Sequence, residues 1–200
     1  MGCFPFVRKI ILIACSCCMF SGMAEFSKAI AAEVNSSIPS NKSECTAVLL
    51  KNRDYLPALI TTIDEAQNEI LMAFFLFKAG VKSESYPDKV LAHLLSAVKR
   101  GVKVIVILGN TGGRDHKLDS ENQQTVELLK AKGMEAFCDT PKRTTHTKLI
   151  VIDQRLVILG SHNLTQAAMK YNNEISILLD NPELAQRARD YMLTIMKEAK

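Results

Sequence analysis

Two apolar runs, residues 69–77 and 102–108, constrain this chain most. A strand with one wet face alternates apolar and polar side chains, whereas a short, nearly continuous apolar run belongs to a strand covered on both faces. Helical spacing surrounds these runs. Residues 52–67 place Leu56, Leu59, Ile60 and Ile63 on one face. Pro87 stands near the start of a second helix that carries Val90, Leu91, Leu94, Leu95 and Val98 and stops before Gly101. Buried strands alternating with amphipathic helices predict an α/β domain: a mixed β-sheet flanked by helices on both faces.

Further along, residues 109–117 form a Gly-rich, basic loop, and residues 119–132 a helix closed by Gly133. Residues 134–138 predict a short strand. Residues 145–152 and 155–159 predict two more strands, joined so tightly by Asp153-Gln154 that they must be antiparallel. A short helix over 164–171, a strand over 173–179 and a last helix opened by Pro182 complete the pattern. A first strand is expected over 46–50, so the folded domain is expected to span 45–200.

The N-terminal region is read differently. Arg8 and Lys9 precede an apolar stretch from Ile10 to Phe20, too short to span a bilayer comfortably, and small residues follow around Ala24. Residues 1–24 are therefore expected to be a secretory signal, with an uncleaved anchor as the alternative, and 25–44 a linker. Leu12-Ile13-Ala14-Cys15 resembles a lipoprotein cleavage box, but it lies very close to Lys9. An exported chain, periplasmic or secreted, would retain two cysteines, Cys45 and Cys138, which are expected to form a disulfide. Of 25 Lys and Arg, the two in the signal would be lost, leaving 23 against 21 Asp and Glu. Such a balance is no fingerprint of a polyanion-binding protein, so any such attraction must be local.

The chemistry concentrates in His146-Thr147-Lys148-Leu149-Ile150-Val151-Ile152-Asp153. On a strand, His146 and Lys148 share a side, about 6–7 Å apart. An imidazole beside a fixed cation can hold a phosphoryl group, the lysine binding its oxygens while the histidine attacks phosphorus. After the next strand come Gly160-Ser161-His162-Asn163. Here Gly160 permits close backbone approach, and Ser161 and Asn163 offer donors to phosphate oxygens. Glu174, in Asn172-Asn173-Glu174, is placed to accept the Nδ1–H of His146 and leave Nε2 free to attack. His162 occupies the variable position of its element and is read as non-catalytic. Lys142, Arg143, Arg114 and His116 are candidates for the substrate rim.

These elements together, H-x-K-x4-D, then G-S-x-N, then N-N-E, resemble the signature of the phospholipase D superfamily over roughly residues 45–200. The chain is most similar to small secreted members with one motif per chain, which include non-specific endonucleases and proteins described as phospholipases. The resemblance implies that His146 is the nucleophile and forms a phosphohistidine. It implies that Lys148, Ser161 and Asn163 bind phosphate, that Glu174 orients His146, and that Asp153 is structural. It also implies catalysis without metal or other cofactor, and a homodimer whose two copies share one active site, the second His146 serving as general acid. Nucleic acid is the expected substrate, with a phospholipid headgroup ester as the alternative and a non-catalytic phosphate-binding relative as a third reading. The absence of Trp and of a Trp- or Phe-rich amphipathic helix near the motif leans toward nucleic acid.

Overall fold

The computed structural model describes residues 45–80 and 84–199; the proposed signal and linker lie outside the described residues. One compact unit spans Glu44–Lys200. Its elements run β1 (Thr46–Lys51), a 3-10 turn (Asn52–Asp54), α1 (Tyr55–Glu65), β2 (Glu69–Phe74), α2 (Tyr86–Lys99), β3 (Lys103–Leu108) and α3 (His116–Ala131). They continue with β4 (Glu135–Cys138), β5 (Lys148–Ile152), β6 (Leu156–Gly160), α4 (Gln166–Lys170), β7 (Ile175–Asp180) and α5 (Pro182–Ala199).

The strands form one seven-stranded mixed sheet in the order β1-β7-β6-β5-β2-β3-β4. Strands β2, β3 and β4 are parallel, and the remaining pairings are antiparallel. The apolar runs have the predicted cause. Ile70, Met72 and Phe74 join one core with Leu59 and Ile63 of α1, Leu94 of α2 and Leu129 of α3. Leu71 and Ala73 join a second core, under Ala185 and Met192 of α5. Both sets are fully buried, and each such large side chain contributes roughly 1.5–3 kcal/mol. A bidentate ion pair, Arg189 Nε to Glu69 Oε2 at 2.6 Å and Nη2 to Oε1 at 3.2 Å, ties α5 to the start of β2.

Element boundaries shift where side chains capture backbone groups. The helix predicted from 52 begins at Tyr55, because Asn52 takes a left-handed conformation (φ 49°) and the chain turns there. Strand β5 starts at Lys148 rather than 145, because Thr145 N–H donates to the buried Asp139 carboxylate and leaves the ladder. The hairpin β5–β6 is as expected, with Asp153 (φ 51°) and Gln154 (φ 54°) making the tight turn.

The expected disulfide is absent. Cys45 and Cys138 are both free thiols. Cys45 immediately precedes β1, at one edge of the sheet, and Cys138 ends β4, at the other. Six strand spacings of about 4.8 Å alone separate them by roughly 25–30 Å across the sheet, against the ~7 Å limit between bridged Cα atoms. The sequence spacing carried no information on which edge each strand would occupy.

Asp153 holds the start of β2. Its carboxylate accepts from Gln67 N–H (2.8 Å), Asn68 N–H (2.7 Å) and Glu69 N–H (2.9 Å). Asp153→Ala is expected to destabilise the fold by about 2–3 kcal/mol, because charge-assisted bonds are lost from a fixed turn. Thermal unfolding should fall by roughly 5–10 °C while residual turnover at low temperature persists. An unchanged melting temperature with lost turnover would place Asp153 in the chemistry instead.

Candidate active site

The ends of the strands bring the candidate residues to one end of the sheet. There lie the C-terminal ends of β1, β2, β3, β4 and β6 and the N-terminal ends of β5 and β7. His146 stands two residues before β5 and is exposed. Its ring packs on Phe75 at 4.4 Å between centroids. Lys148 Nζ donates to the His146 carbonyl at 2.8 Å and lies 3.4 Å from His146 Nδ1. The same ammonium sits 5.2 Å from the Phe75 ring centre. The expected imidazole–ammonium pair is therefore assembled within one chain.

Although the side chain is exposed, partial desolvation of its ring, which packs on Phe75, and then the Lys148 charge hold the His146 pKa below its ordinary value. Burial likewise lowers Lys148, opposed by the charge of Glu174. Desolvation and the Lys148 charge both favour the neutral form of the His146 imidazole.

Glu174 and Ser161 meet each other in this chain. The Ser161 hydroxyl donates to Glu174 Oε2 in a short bond and accepts from Ile175 N–H at 3.0 Å. Asn172 Nδ2 donates to Glu174 Oε1 at 3.1 Å. Glu174 is thus bonded to Ser161 and Asn172, and Nδ1 of His146 faces Lys148 rather than a carboxylate. Asn163 is half-buried, and its Oδ1 meets no donor among the described residues. Gly160 is needed for a reason other than ligand approach: a Cβ there would meet Ser176 Oγ at 2.3 Å and Ile175 O at 2.4 Å. Strands β6 and β7 pass too closely for any side chain.

His162 is a structural residue. It is fully buried and stacked on Tyr55, with ring centres 4.2 Å apart. Its Nε2 faces the Asn52 carbonyl at 3.0 Å, and because a carbonyl only accepts, Nε2 carries the proton. Nδ1 is then left to accept from the Ser176 hydroxyl at 2.7 Å. Burial lowers the His162 pKa, in keeping with this neutral form. Asn52, held in this way, accepts from Glu174 N–H at 2.8 Å through Oδ1 and donates from its backbone to Glu174 O at 2.9 Å. Nothing in the sequence around Asn52 signals that role.

The Gly-rich loop is braced by Asp119, which accepts from Thr111 N–H (2.6 Å), Thr111 Oγ1 (2.8 Å) and Gly113 N–H (2.8 Å). Despite burial, those bonds hold Asp119 below the usual carboxylate range. Arg114 donates to the Thr111 carbonyl and to Thr144 Oγ1, both at 2.8 Å. Its guanidinium therefore stands beside the segment leading into His146. His116, Lys142 and Arg143 are exposed at the same end. Asp139, buried and with an Oδ1 that meets no donor among the described residues, was not singled out in the sequence; burial raises its pKa, against the effect of its bond from Thr145. A cleft of about 610 Å³ opens beside His146 and Lys148 and runs over Leu149, Leu159, Leu179 and Leu184. Among the described residues no group of three or more His, Cys, Asp and Glu is placed to hold a metal ion.

His146 and Lys148, at the mouth of a buried hairpin, lie at the same end of the sheet as Asn163 and the Ser161–Glu174 pair, and the charge of Glu174 reaches Lys148. The chain belongs to the phospholipase D superfamily: the family described as "Cardiolipin synthase, PLD-like domain" matches residues 59–196. It is 38% identical over 93 residues to the phospholipase D of Rickettsia typhi, covering 46% of this chain and 43% of that protein. It is 30% identical over 118 residues to cardiolipin synthase A of Pectobacterium atrosepticum, covering 56% of this chain and 24% of that protein. Less than half the length of either relative is therefore spanned. The fold is shared with Nuc, a phospholipase D family member from Salmonella typhimurium, at a TM-score of 0.66 and 22% identity, over 78% of this chain and 97% of that one.

The lowered basicity of His146 is directly measurable. Followed by NMR of its ring protons, the His146 titration should have its midpoint below the ordinary 6.5. Lys148→Met should move the midpoint upward, because a repelling charge is removed. A midpoint above 6.5, or one indifferent to Lys148, would contradict this electrostatic reading.

Proposed function

We propose that the chain is a metal-independent phosphodiesterase acting on nucleic acid through a covalent phosphohistidine at His146. The observation that carries the chemistry is the His146–Lys148 pair, a neutral imidazole 3.4 Å from an ammonium at an open strand end. Attack by the imidazole forms a P–N bond and breaks the P–O bond to the leaving group. Lys148 and Asn163 hold the phosphoryl oxygens, with Ser161 released from Glu174 as a further donor. The leaving alkoxide needs a proton, and a second copy of the chain supplies it from its own protonated imidazole. Water then returns a proton to that imidazole and its hydroxide to phosphorus, breaking P–N. One chain presents one such histidine, which supports a two-fold homodimer sharing a single site.

The nucleic-acid reading is supported by the cations that converge on the site. Arg114 is fixed to Thr144, and Lys142 and Arg143 lie exposed in the same segment, where flanking phosphates would pass. One observation favours a phospholipid instead: the apolar cleft lined by Leu149, Leu159, Leu179 and Leu184, taken with the relatives named phospholipase D and cardiolipin synthase.

The full chain should be assayed in EDTA against plasmid DNA, RNA, and vesicles of phosphatidylcholine or cardiolipin. DNA or RNA cleavage should survive chelation and fall on the order of a thousand-fold or more in His146→Asn and Lys148→Ala. Turnover restricted to vesicles would favour the phospholipid reading, and loss on chelation with rescue by a divalent ion would favour a metal mechanism. Sedimentation at assay concentration should show a dimer; a fully active monomer would refute the shared site.

A further inference from the structure

A second pocket, about 500 Å³, lies between the start of α2 and the helix α4, lined by Lys78, Glu84, Gln166, Lys170 and Tyr171. It is a separate feature from the cleft over Leu159, and no part of the proposed chemistry uses it. It lies at the same end of the sheet as His146, since Phe77, next to Lys78, bridges to Leu164 just before α4.

Tyr171 is its unusual member. An aromatic side chain that serves the core is buried, yet this one is 70% exposed. Its backbone is nonetheless fixed: Tyr171 N–H and Asn172 N–H both donate to Ala167 O at 2.9 Å. Lys170 Nζ stands 5.2 Å from the ring centre, and among the described residues no carboxylate pairs with that ammonium. A rigidly based, exposed ring with a cation on it is a stacking platform beside a phosphate-binding charge.

The pocket's other groups fit the edge of a base. Gln166 Oε1 already accepts from Tyr86 N–H at 2.9 Å, which turns its amide nitrogen to use as a donor. Glu84 supplies an acceptor for an exocyclic amino group. Lys78 is paired with Glu121 at 2.8 Å, so Lys170 is the cation left for a phosphate. A quaternary ammonium headgroup would face that same Lys170 charge, which disfavours choline here. The chain also connects the pocket to the chemistry. Only Asn172 and Asn173 separate Tyr171 from Glu174, about 10 Å of chain at most, and Glu174 is bonded to Ser161.

We propose that Tyr171 and Lys170 form a flanking-nucleotide subsite, in which a base of single-stranded nucleic acid stacks on the Tyr171 ring and its phosphate meets Lys170. This deepens the nucleic-acid reading above and rests on it.

The test is equilibrium binding of a fluorescent single-stranded oligonucleotide, read by anisotropy in the His146→Asn background so that no cleavage intervenes. Adding Tyr171→Ala should weaken binding about ten-fold, whereas Tyr171→Trp should preserve or tighten it. Lys170→Ala should weaken binding and reduce its salt dependence. Unfolding temperatures within a few degrees of the parent establish that each variant is folded. Equal affinity for the parent and Tyr171→Ala overturns the subsite, as does no oligonucleotide binding by the parent. Failure of the wider reading looks different: the wild-type chain would hydrolyse bis(p-nitrophenyl) phosphate or phospholipid vesicles while leaving oligonucleotides intact.

Discussion

Strand β5 is the beam on which the rest depends. It is paired on both sides, with β2 and β6, and its Ile150, Val151 and Ile152 are buried in both cores. A slip of one residue would send Ile150 and Val151 each to the wrong core, so the register is strongly specified. That register decides where His146 and Lys148 stand. At the far end, the Asp153 carboxylate grips three successive N–H groups at the start of β2. One end of the strand is anchored and the other carries the His146–Lys148 pair.

The site is held by polar groups that are almost all buried or committed. Asp139 captures Thr145, Asn122 bridges the Phe75 and Gly109 carbonyls at 2.8 Å each, and His162 secures Asn52 under Glu174. His146 and Lys148 are the exceptions, exposed and half-exposed with each other as polar neighbours. Lys148 Nζ lies 3.4 Å from Nδ1 of the imidazole and donates to the His146 carbonyl at 2.8 Å, so the ammonium is held against the ring.

The fold class was legible because periodicity reports burial: runs 69–77 and 102–108 are apolar except for Glu69 and Lys103, and the strands there are covered on both faces. The tight 145–159 hairpin was legible from Asp153-Gln154 alone. Strand order was not, and the misplaced disulfide followed from that, since Cys45 and Cys138 sit at opposite edges. The motif located His146, Lys148 and the turn held by Asp153. It did not show that Glu174 meets Ser161, that Gly160 is required by β7, or that His162 is a buried strut, because each depends on which strand lies alongside β6. Asp139 and Asn52 lay outside any local pattern, their partners being distant in the chain or set by turns.

The central claim is a bond between phosphorus and the His146 ring. It is tested by mixing the enzyme with a diester substrate, quenching with alkali after one turnover, and mapping modified peptides by mass spectrometry. A phosphoramidate is stable to alkali and lost in acid. The account predicts an acid-labile phosphoryl adduct on the peptide containing His146, formed within the first turnover and absent in His146→Asn. Efficient turnover with no adduct at His146 at any time point, or an adduct on another residue that persists in His146→Asn, would contradict it.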